Sequence, residues 1–455
     1  MKMSKILYRS TNGKSPMVGF KEVLLKGQAP DYGLYMPAVI PRLSENEIAE
    51  FGNLEYHEVA FRVMYKFLAD EIENGILRNL CRDAYNFEVP IKRISSDLAI
   101  LYLDRGPTAS FKDFAARIMA RLMFHFSQNE GRALVVLVAT SGDTGGAIAD
   151  AFLGMDSIRV IILFPEEEIS DLQRRQMTCL GRNVTALAVK GKFDDCQAIV
   201  KQAFNDPAMA GLNLTSANSI NFGRLLPQCA YYFYCYSRLE RKPVNFSVPS
   251  GNFGNLMGGV LAREMGLPVE KFIVAVNEND EFPRFLQTGE YRPVIPSRQC
   301  SSNAMNVGHP SNLARLVDLY GGWLYDERDS SGRIVRKGIL ARKPDMERMR
   351  KDFVSFSVTD AQADRTIIDF YSKYGVILEP HGAVGLNAAL RAKLPGITVC
   401  LETADPAKFP EKIREVLRIN PPIPASLIGL EQRKEYYETI RNEYDDFAHL
   451  VKKLV

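Results

Sequence analysis

A lysine at the start of a helix is badly placed for stability, and residues 106–119 (GPTASFKDFAARIM) contain one. Gly106 and Pro107 end the apolar run 100–103. Thr108 or Ser110 can cap a helix whose apolar positions Phe114, Ile118, Leu122 and Phe126 recur every four residues. Lys112 then lies at the positive end of the helix dipole, which disfavours its ammonium. That environment lowers an amine's pKa and suits Schiff-base chemistry with a carbonyl compound. The same residues also suit a solvated lysine beside a capped turn, so other stretches must decide.

Residues 250–255 (SGNFGN) follow the apolar run 244–248 and open a helical pattern. Gly251 and Gly254 allow a sharp turn, so that the N–H groups around Asn252, Phe253 and Asn255 face one concavity. With the helix dipole this makes an anion site suited to a phosphate. The stretch lacks the GK[ST] of a Walker loop and the spacing of GxGxxG, and its glycines also suit an ordinary tight turn. Residues 140–146 (TSGDTGG) repeat the setting. Hydroxyls of Ser141 and Thr144 could hold a carboxylate there; capping by Ser141 or Asp143 is the competing use, but it does not require so many small residues.

Residues 218–224 (NSINFGR) offer Asn218, Ser219 and Arg224 close together. A guanidinium binds phosphate bidentately, with neutral donors completing the shell; the alternative is a helix start with Arg224 on its surface. Residues 401–409 (LETADPAKF) put Thr403 at the carboxyl edge of a strand, where α/β sheets bind ligands, or in a capped turn before helix 410–417.

The elements that must carry these loops alternate. Apolar runs at 134–140, 158–164, 184–189, 244–248, 272–276 and 397–401 have the character of parallel strands buried on both faces. Helical patterns at 196–204, 222–238 and 255–265 separate them. This predicts an α/β class with doubly wound sheets. Residues 1–95 form an N-terminal unit, extended over 32–41 and helical over 45–52, 57–73 and 77–85. A catalytic core over 96–300 is interrupted by a smaller inserted lobe over 301–375, whose basic stretch 333–351 is read as a solvated face. The core resumes over 376–425, and a charged amphipathic C-terminal helix occupies 426–455.

Totals narrow the class. A chain of 455 residues exceeds one compact core, while 46% hydrophobic and 24% charged residues are ordinary for a globular protein. A net charge of +3, from 57 basic and 54 acidic residues, gives no reason to expect nucleic acid or membrane partners. No apolar run reaches bilayer length, and the first residues lack a signal-like stretch. Seven scattered cysteines without a CxxC pair suit a reducing cytoplasm and argue against zinc or disulfides.

Taken in order, the blocks GQAPDYGLYMPAVIP, GPTASFKDFAARIMAR, ATSGDTGGAIADAF, TSANSINFGRLLPQ, VPSGNFGNLMGG and TADPAKFPE resemble the threonine synthase family over most of the chain. The resemblance implies fold type II and pyridoxal 5'-phosphate, with O-phospho-L-homoserine as the small-molecule substrate of a monomer or homodimer. It implies that Lys112 holds the cofactor, that Gly251, Asn252, Phe253, Gly254 and Asn255 cradle its phosphate, and that Thr403 meets its ring nitrogen. Asp143 lies beside the cofactor, Ser141 and Thr144 bind the substrate carboxylate, and Asn218, Ser219 and Arg224 bind the substrate phosphate. This sequence departs from the family at Tyr32, where glycine is usual, and at Ser110, where alanine is usual. Asp405 stands for a histidine, and Asn306 and His309 stand for acidic residues; His309 is read as a surface residue.

The expected reaction is γ-elimination of phosphate followed by β-addition of water, with Lys112 moving the α- and β-protons. A hydroxyl at the ring nitrogen would not hold a full pyridinium, which favours elimination over transamination. An elimination-only relative releasing 2-oxobutyrate would share almost every residue. A nicotinamide enzyme would need a GxGxxG and a following acidic residue that are absent. A non-catalytic scaffold would have no use for Lys112 and both phosphate sites.

Overall fold

The computed structural model describes residues 5–131, 133–240, 242–330 and 332–454. Its frame is two sheets of mainly parallel strands. The larger has the order Phe353–Ser357, Val269–Val276, Val244–Pro249, Thr398–Glu402, Leu98–Tyr102, Ile91–Arg93, and only the last strand runs antiparallel to its neighbour. The other is parallel throughout, in the order Tyr437–Arg441, Val184–Lys190, Ile158–Pro165, Leu134–Ala139, Leu214–Ser216. Leu134–Ala139, Val244–Pro249 and Thr398–Glu402 are buried at every position. Helices cover both faces of each, which is why these strands read as continuous apolar runs rather than alternating ones.

The N-terminal residues contribute a small antiparallel pair, Tyr8–Ser10 with Tyr35–Pro37, and the helices Phe20–Lys26, Glu45–Glu50, Tyr56–Leu68 and Asn74–Ala84. Tyr56 fixes them to the core: its ring meets Tyr85, Phe114 and Tyr234 edge-on at centroid distances of 5.0, 5.1 and 5.2 Å. Phe114 lies on the helix Asp113–Glu130, which starts one residue after Lys112. No helix among the described residues is long and apolar enough to cross a membrane.

Three expectations change. The pattern over 222–238 is not one helix, because Pro227 breaks it: Phe222–Leu225 is followed by a 3-10 turn, Leu226–Gln228, and then by Cys229–Ser237. The smaller lobe read over 301–375 is not separate throughout. It contains the two-stranded sheet Trp323–Arg328 with Ile334–Arg342, but Phe353–Ser357 pairs with Val269–Val276 inside the larger sheet. The helix read over 426–455 is confined to Tyr444–Leu454. Tyr437–Arg441 is instead an edge strand, because its backbone can complete the open side of Val184–Lys190 while Ile440 is buried.

Candidate functional site

Every site residue named from the sequence lines one cavity of about 440 Å³. The cause is topological. Lys112, the Ser250–Asn255 turn and Thr403 follow strands Leu98–Tyr102, Val244–Pro249 and Thr398–Glu402 of the larger sheet. The 140–146 and 217–224 loops follow Leu134–Ala139 and Leu214–Ser216 of the other. All these strands run parallel within their sheets, so their carboxyl ends converge on one crevice.

Lys112 caps its helix by backbone alone. Contrary to the expectation from the sequence, neither Thr108 nor Ser110 caps it; Thr108 instead donates its hydroxyl to Asp113 Oδ1 at 2.6 Å, and Thr108 N donates to Oδ2 at 2.9 Å. Burial raises the Asp113 carboxyl to about 6 despite those bonds. Lys112 Nζ reaches Asp143 Oδ2 at 3.3 Å. The Lys112 amine is pushed down by burial, which outweighs Asp143 and is reinforced by the cations Lys408 and Arg224. Asp143 is itself buried, yet Lys408 and Lys112 hold it well below the usual carboxylate range. Lys408 Nζ sits 2.7 Å from Asp143 Oδ1 and donates to Thr108 O at 3.0 Å. Gln173 Nε2 also donates to Asp143 Oδ1, at 2.9 Å. Lys408 and Gln173 escaped the sequence reading. Lysine and glutamine are ordinarily surface residues, and only the position of Lys408 five residues beyond Thr403 pointed inward.

The helix after the 140–146 loop is capped by Gly142, whose φ of 129° no residue with a side chain adopts comfortably, and neither Ser141 nor Asp143 caps it. Thr140 Oγ1 stabilises the turn by accepting from Gly142 N at 3.0 Å and Gly145 N at 2.8 Å. Ser141 and Thr144 are thereby left to face the cavity. At the 250–255 turn, Phe253 takes a left-handed conformation with φ 61°, and the helix begins at Gly254. A Cβ on Gly254 would make only ordinary contacts, at 3.6 Å from Gln228 and Ser219, and Gly254 lines the cavity. A Cβ on Gly251 would lie 2.4 Å from Ala304 O, so there the glycine admits a neighbouring loop. Asn255 Oδ1 accepts from Tyr231 and Tyr232, both at 2.7 Å, and Asn252 O accepts from Asn312 at 2.8 Å.

Arg224 is buried, not on the surface of its helix. Its Nη1 donates to Ala217 O at 2.7 Å, while Nε has no partner among the described residues. Burial lowers even this guanidinium to about 10. A buried cation with a spare donor is the condition an anion relieves. Asn218 Nδ2 donates to Ala139 O at 2.9 Å, joining the two loops of this sheet. Thr403 Oγ1 donates to Glu379 Oε1 at 3.0 Å. Glu379 is fully buried at the start of helix Pro380–Ala392, and was not named from the sequence.

The departures have definite places. Asp405 accepts from Ala407 N at 2.9 Å and lies 3.4 Å from Arg105 Nη1. His309 is not a free surface residue: Tyr291 Oη lies 2.6 Å from Nδ1 and Asp326 Oδ1 lies 2.9 Å from Nε2. It ties the 291–311 loop to the strand Trp323–Arg328. Asn306 Oδ1 accepts from Asn277 Nδ2 at 2.9 Å. Tyr32 adopts φ 63°, and the Arg328 guanidinium lies 4.2 Å from its ring centroid.

Comparison with known proteins agrees with this geometry. Residues 7–85 match the family model described as threonine synthase N terminus, residues 87–402 match pyridoxal-phosphate dependent enzyme, and residues 382–455 match threonine synthase, C-terminal. The chain is 38% identical to a threonine synthase of Pseudomonas aeruginosa, with 96% of each covered. It is 36% identical to that of Escherichia coli, again with 96% of each covered. A solved structure of threonine synthase from Brucella melitensis with pyridoxal phosphate bound superposes with a TM-score of 0.90 at 36% identity, covering 99% of both chains. The yeast threonine synthase gives 0.89 at 31% identity over 98% of both. A tomato threonine deaminase, at 15% identity and a TM-score of 0.53, shares the fold alone. With all three family models matched and relatives aligned over nearly their full length, the chain belongs to the threonine synthase family of pyridoxal-phosphate-dependent enzymes.

Proposed function

We propose that the substrate is O-phospho-L-homoserine, that water and this substrate yield L-threonine and phosphate, and that the named residues divide the work as follows. The observation that carries the reading is the presence of two unlike anion-receptive places around Lys112 in one cavity. One is backbone: the turn 250–255, which lines the cavity and opens a helix at Gly254. The other is a side chain: Arg224, buried, with an unpartnered Nε. A cofactor phosphate that stays bound suits the first, and a phosphate that arrives on the substrate and leaves suits the second.

These residues fit pyridoxal phosphate. Gly251, Asn252, Phe253, Gly254 and Asn255 would cradle its phosphate, Lys112 would hold it covalently, Asp143 would flank it, and Thr403 would lie at its ring nitrogen. When bound, the cofactor supplies the electron sink that stabilises negative charge on the substrate carbons. The protein's part is positioning and proton transfer. Burial disfavours the charged form of Lys112 Nζ, which suits an amine that takes the α-proton and moves a β-proton. Once protonated it has Asp143 3.3 Å away, and Lys408 keeps that carboxylate ionised and in place. Ser141 and Thr144 hold the substrate carboxylate at the start of helix Asp143–Phe152. Asn218, Ser219 and Arg224 hold its phosphate until the γ-carbon releases it. Cysteines 81, 179, 196, 229, 235, 300 and 400 are all free, which supports a cytoplasmic setting.

The test is Arg224→Ala, titrated separately with cofactor and with substrate. Losing a charge-assisted contact to phosphate costs about 2 kcal/mol, or about a 30-fold rise in KM. The cofactor spectrum should be unchanged, and Arg224→Lys should recover little. If Arg224→Ala instead loses cofactor and keeps its KM, the two phosphate assignments are exchanged.

A further inference from the structure

Behind Thr403 lies a group of buried acids that the reaction as described does not use. Glu379 is its centre. Its Oε1 accepts from Thr403 Oγ1 at 3.0 Å and from Gly382 N at 2.8 Å. Its Oε2 accepts from His381 N at 2.7 Å and contacts His381 Nδ1. The histidine tautomer follows from the opposite side of the ring. Ala304 N, which can only donate, points to His381 Nε2 at 3.1 Å, so the ring proton is on Nδ1 and is given to Glu379. Glu379 thus has four donors directed at its two oxygens, the pattern of a carboxylate that accepts and has no proton of its own to give.

The consequence falls on Thr403. A threonine hydroxyl has one proton, and here it is committed to Glu379. Toward the cavity, which Thr403 lines, its oxygen offers only lone pairs. An unprotonated ring nitrogen would bring another lone pair to that place, whereas a protonated one would bring the missing donor. We propose that Glu379 is a positioning residue that fixes Thr403 as an acceptor, and that the chain therefore holds the cofactor's ring nitrogen protonated. This rests on the placement of Thr403 at the ring edge given above. It reverses the expectation that a hydroxyl cannot support a pyridinium, because that expectation left the hydroxyl's own proton free.

Among the described residues no desolvated cation competes with positive charge at that point. Glu402, Asp104 and Asp405 face Glu379 from the neighbouring loops, and Glu402 Oε1 accepts from Glu379 N at 2.8 Å. Burial pushes Glu402 well up and Asp104 up to about 7. The opposing cations are spent elsewhere: Lys408 is 2.7 Å from Asp143, and Arg105 lies half in solvent, 3.5 Å from Asp104 and 3.4 Å from Asp405. His381 is neutral in the tautomer just given.

The experiment loads the full-length enzyme with pyridoxal phosphate labelled with nitrogen-15 in the ring and reads its chemical shift. The parent enzyme should give a pyridinium shift. In Glu379→Gln the new amide can donate to Thr403 and turn the hydroxyl's proton toward the ring, so the shift should move to the pyridine range with cofactor still bound. A pyridine shift in the parent enzyme overturns the proposal without any variant. A pyridinium shift unchanged by Glu379→Gln but altered by Thr403→Val removes Glu379 from the argument. A shift that Thr403→Val leaves unaltered shows that Thr403 is not at the ring edge, and the underlying placement then fails with it.

Discussion

On one side of the cavity Asp143 lies between Lys112 and Lys408; behind Thr403, Asp104 and Glu402 are as deeply buried but have no lysine beside them among the described residues. Burial acts on all three in the same direction, toward the neutral acid. At Asp143 two lysine nitrogens within 3.3 Å reverse it. At Asp104 the one nearby cation among the described residues is Arg105, whose side chain is 40% exposed and spends its field in water, and the carboxyl rises to about 7. Depth therefore does not decide the charge of a carboxylate here; the number of desolvated cations in contact does. The result is an ionised acid beside the amine and, behind the hydroxyl, acids that burial pushes toward the neutral form.

The largest effect should come from the cationic wall. Lys112→Ala should reduce threonine formation by more than about 10³-fold, since the proposed attachment point and proton carrier are then both lost. Borohydride trapping followed by mass spectrometry should find the cofactor on Lys112 in the parent protein; an adduct on Lys408 would exchange the roles of the two lysines.

Next is the partner cation. Lys408→Met leaves Asp143 buried with a single lysine, and breaking a buried pair costs about 3–5 kcal/mol. Urea unfolding at pH 8 should register that loss. A loss under about 1 kcal/mol would mean that Lys112 and Gln173 suffice, and the contrast between the walls would weaken.

The acidic wall should respond to pH in the opposite sense. Asp104 is raised from 3.8 to about 7 on folding, so the unfolded chain releases its proton first as pH rises. Its contribution is fully present below about pH 4, is lost progressively up to about pH 7, and amounts to about 2–4 kcal/mol at most. Asp104→Asn should match the parent stability at low pH and exceed it at pH 8. Equal stabilities at both would show that Arg105 already balances Asp104.

Much of this was legible in the sequence because of one geometric fact. A parallel strand buried on both faces is a run of apolar residues, and the residue after it stands at the crevice. LVVLVA and VNFSVP announced their strands, and with them the loops bearing Ser141 and Gly251. YETIR did not, because an edge strand keeps its charges in solvent and only Ile440 turns inward. FVSFS was missed because it follows a basic stretch and alternates, although it pairs inside the larger sheet. Glu379 and Lys408 were invisible for a different reason. Lys408 reads as surface until Asp143, 265 positions away, is seen beside it, and Glu379 reads as an ordinary helix cap until the fold brings Thr403, 24 positions on, to it. The capping role of Thr108 failed similarly, since Asp113 competes for the same hydroxyl.

The strand Tyr437–Arg441 also bears on the order in which the protein can be completed. It closes the flank of Val184–Lys190, and Phe447 and Val451 of the following helix are buried with it against the apolar face of helix Phe193–Asn205. A ribosome releases Val184–Lys190 long before Tyr437–Arg441 exists. Through that interval the backbone of Val184–Lys190 has no neighbour on one side, and any second nascent copy offers the same unpaired ladder. The seal on this sheet is thus a matter of timing as well as of contact, and the cell's chaperones are the agents that would have to cover the gap.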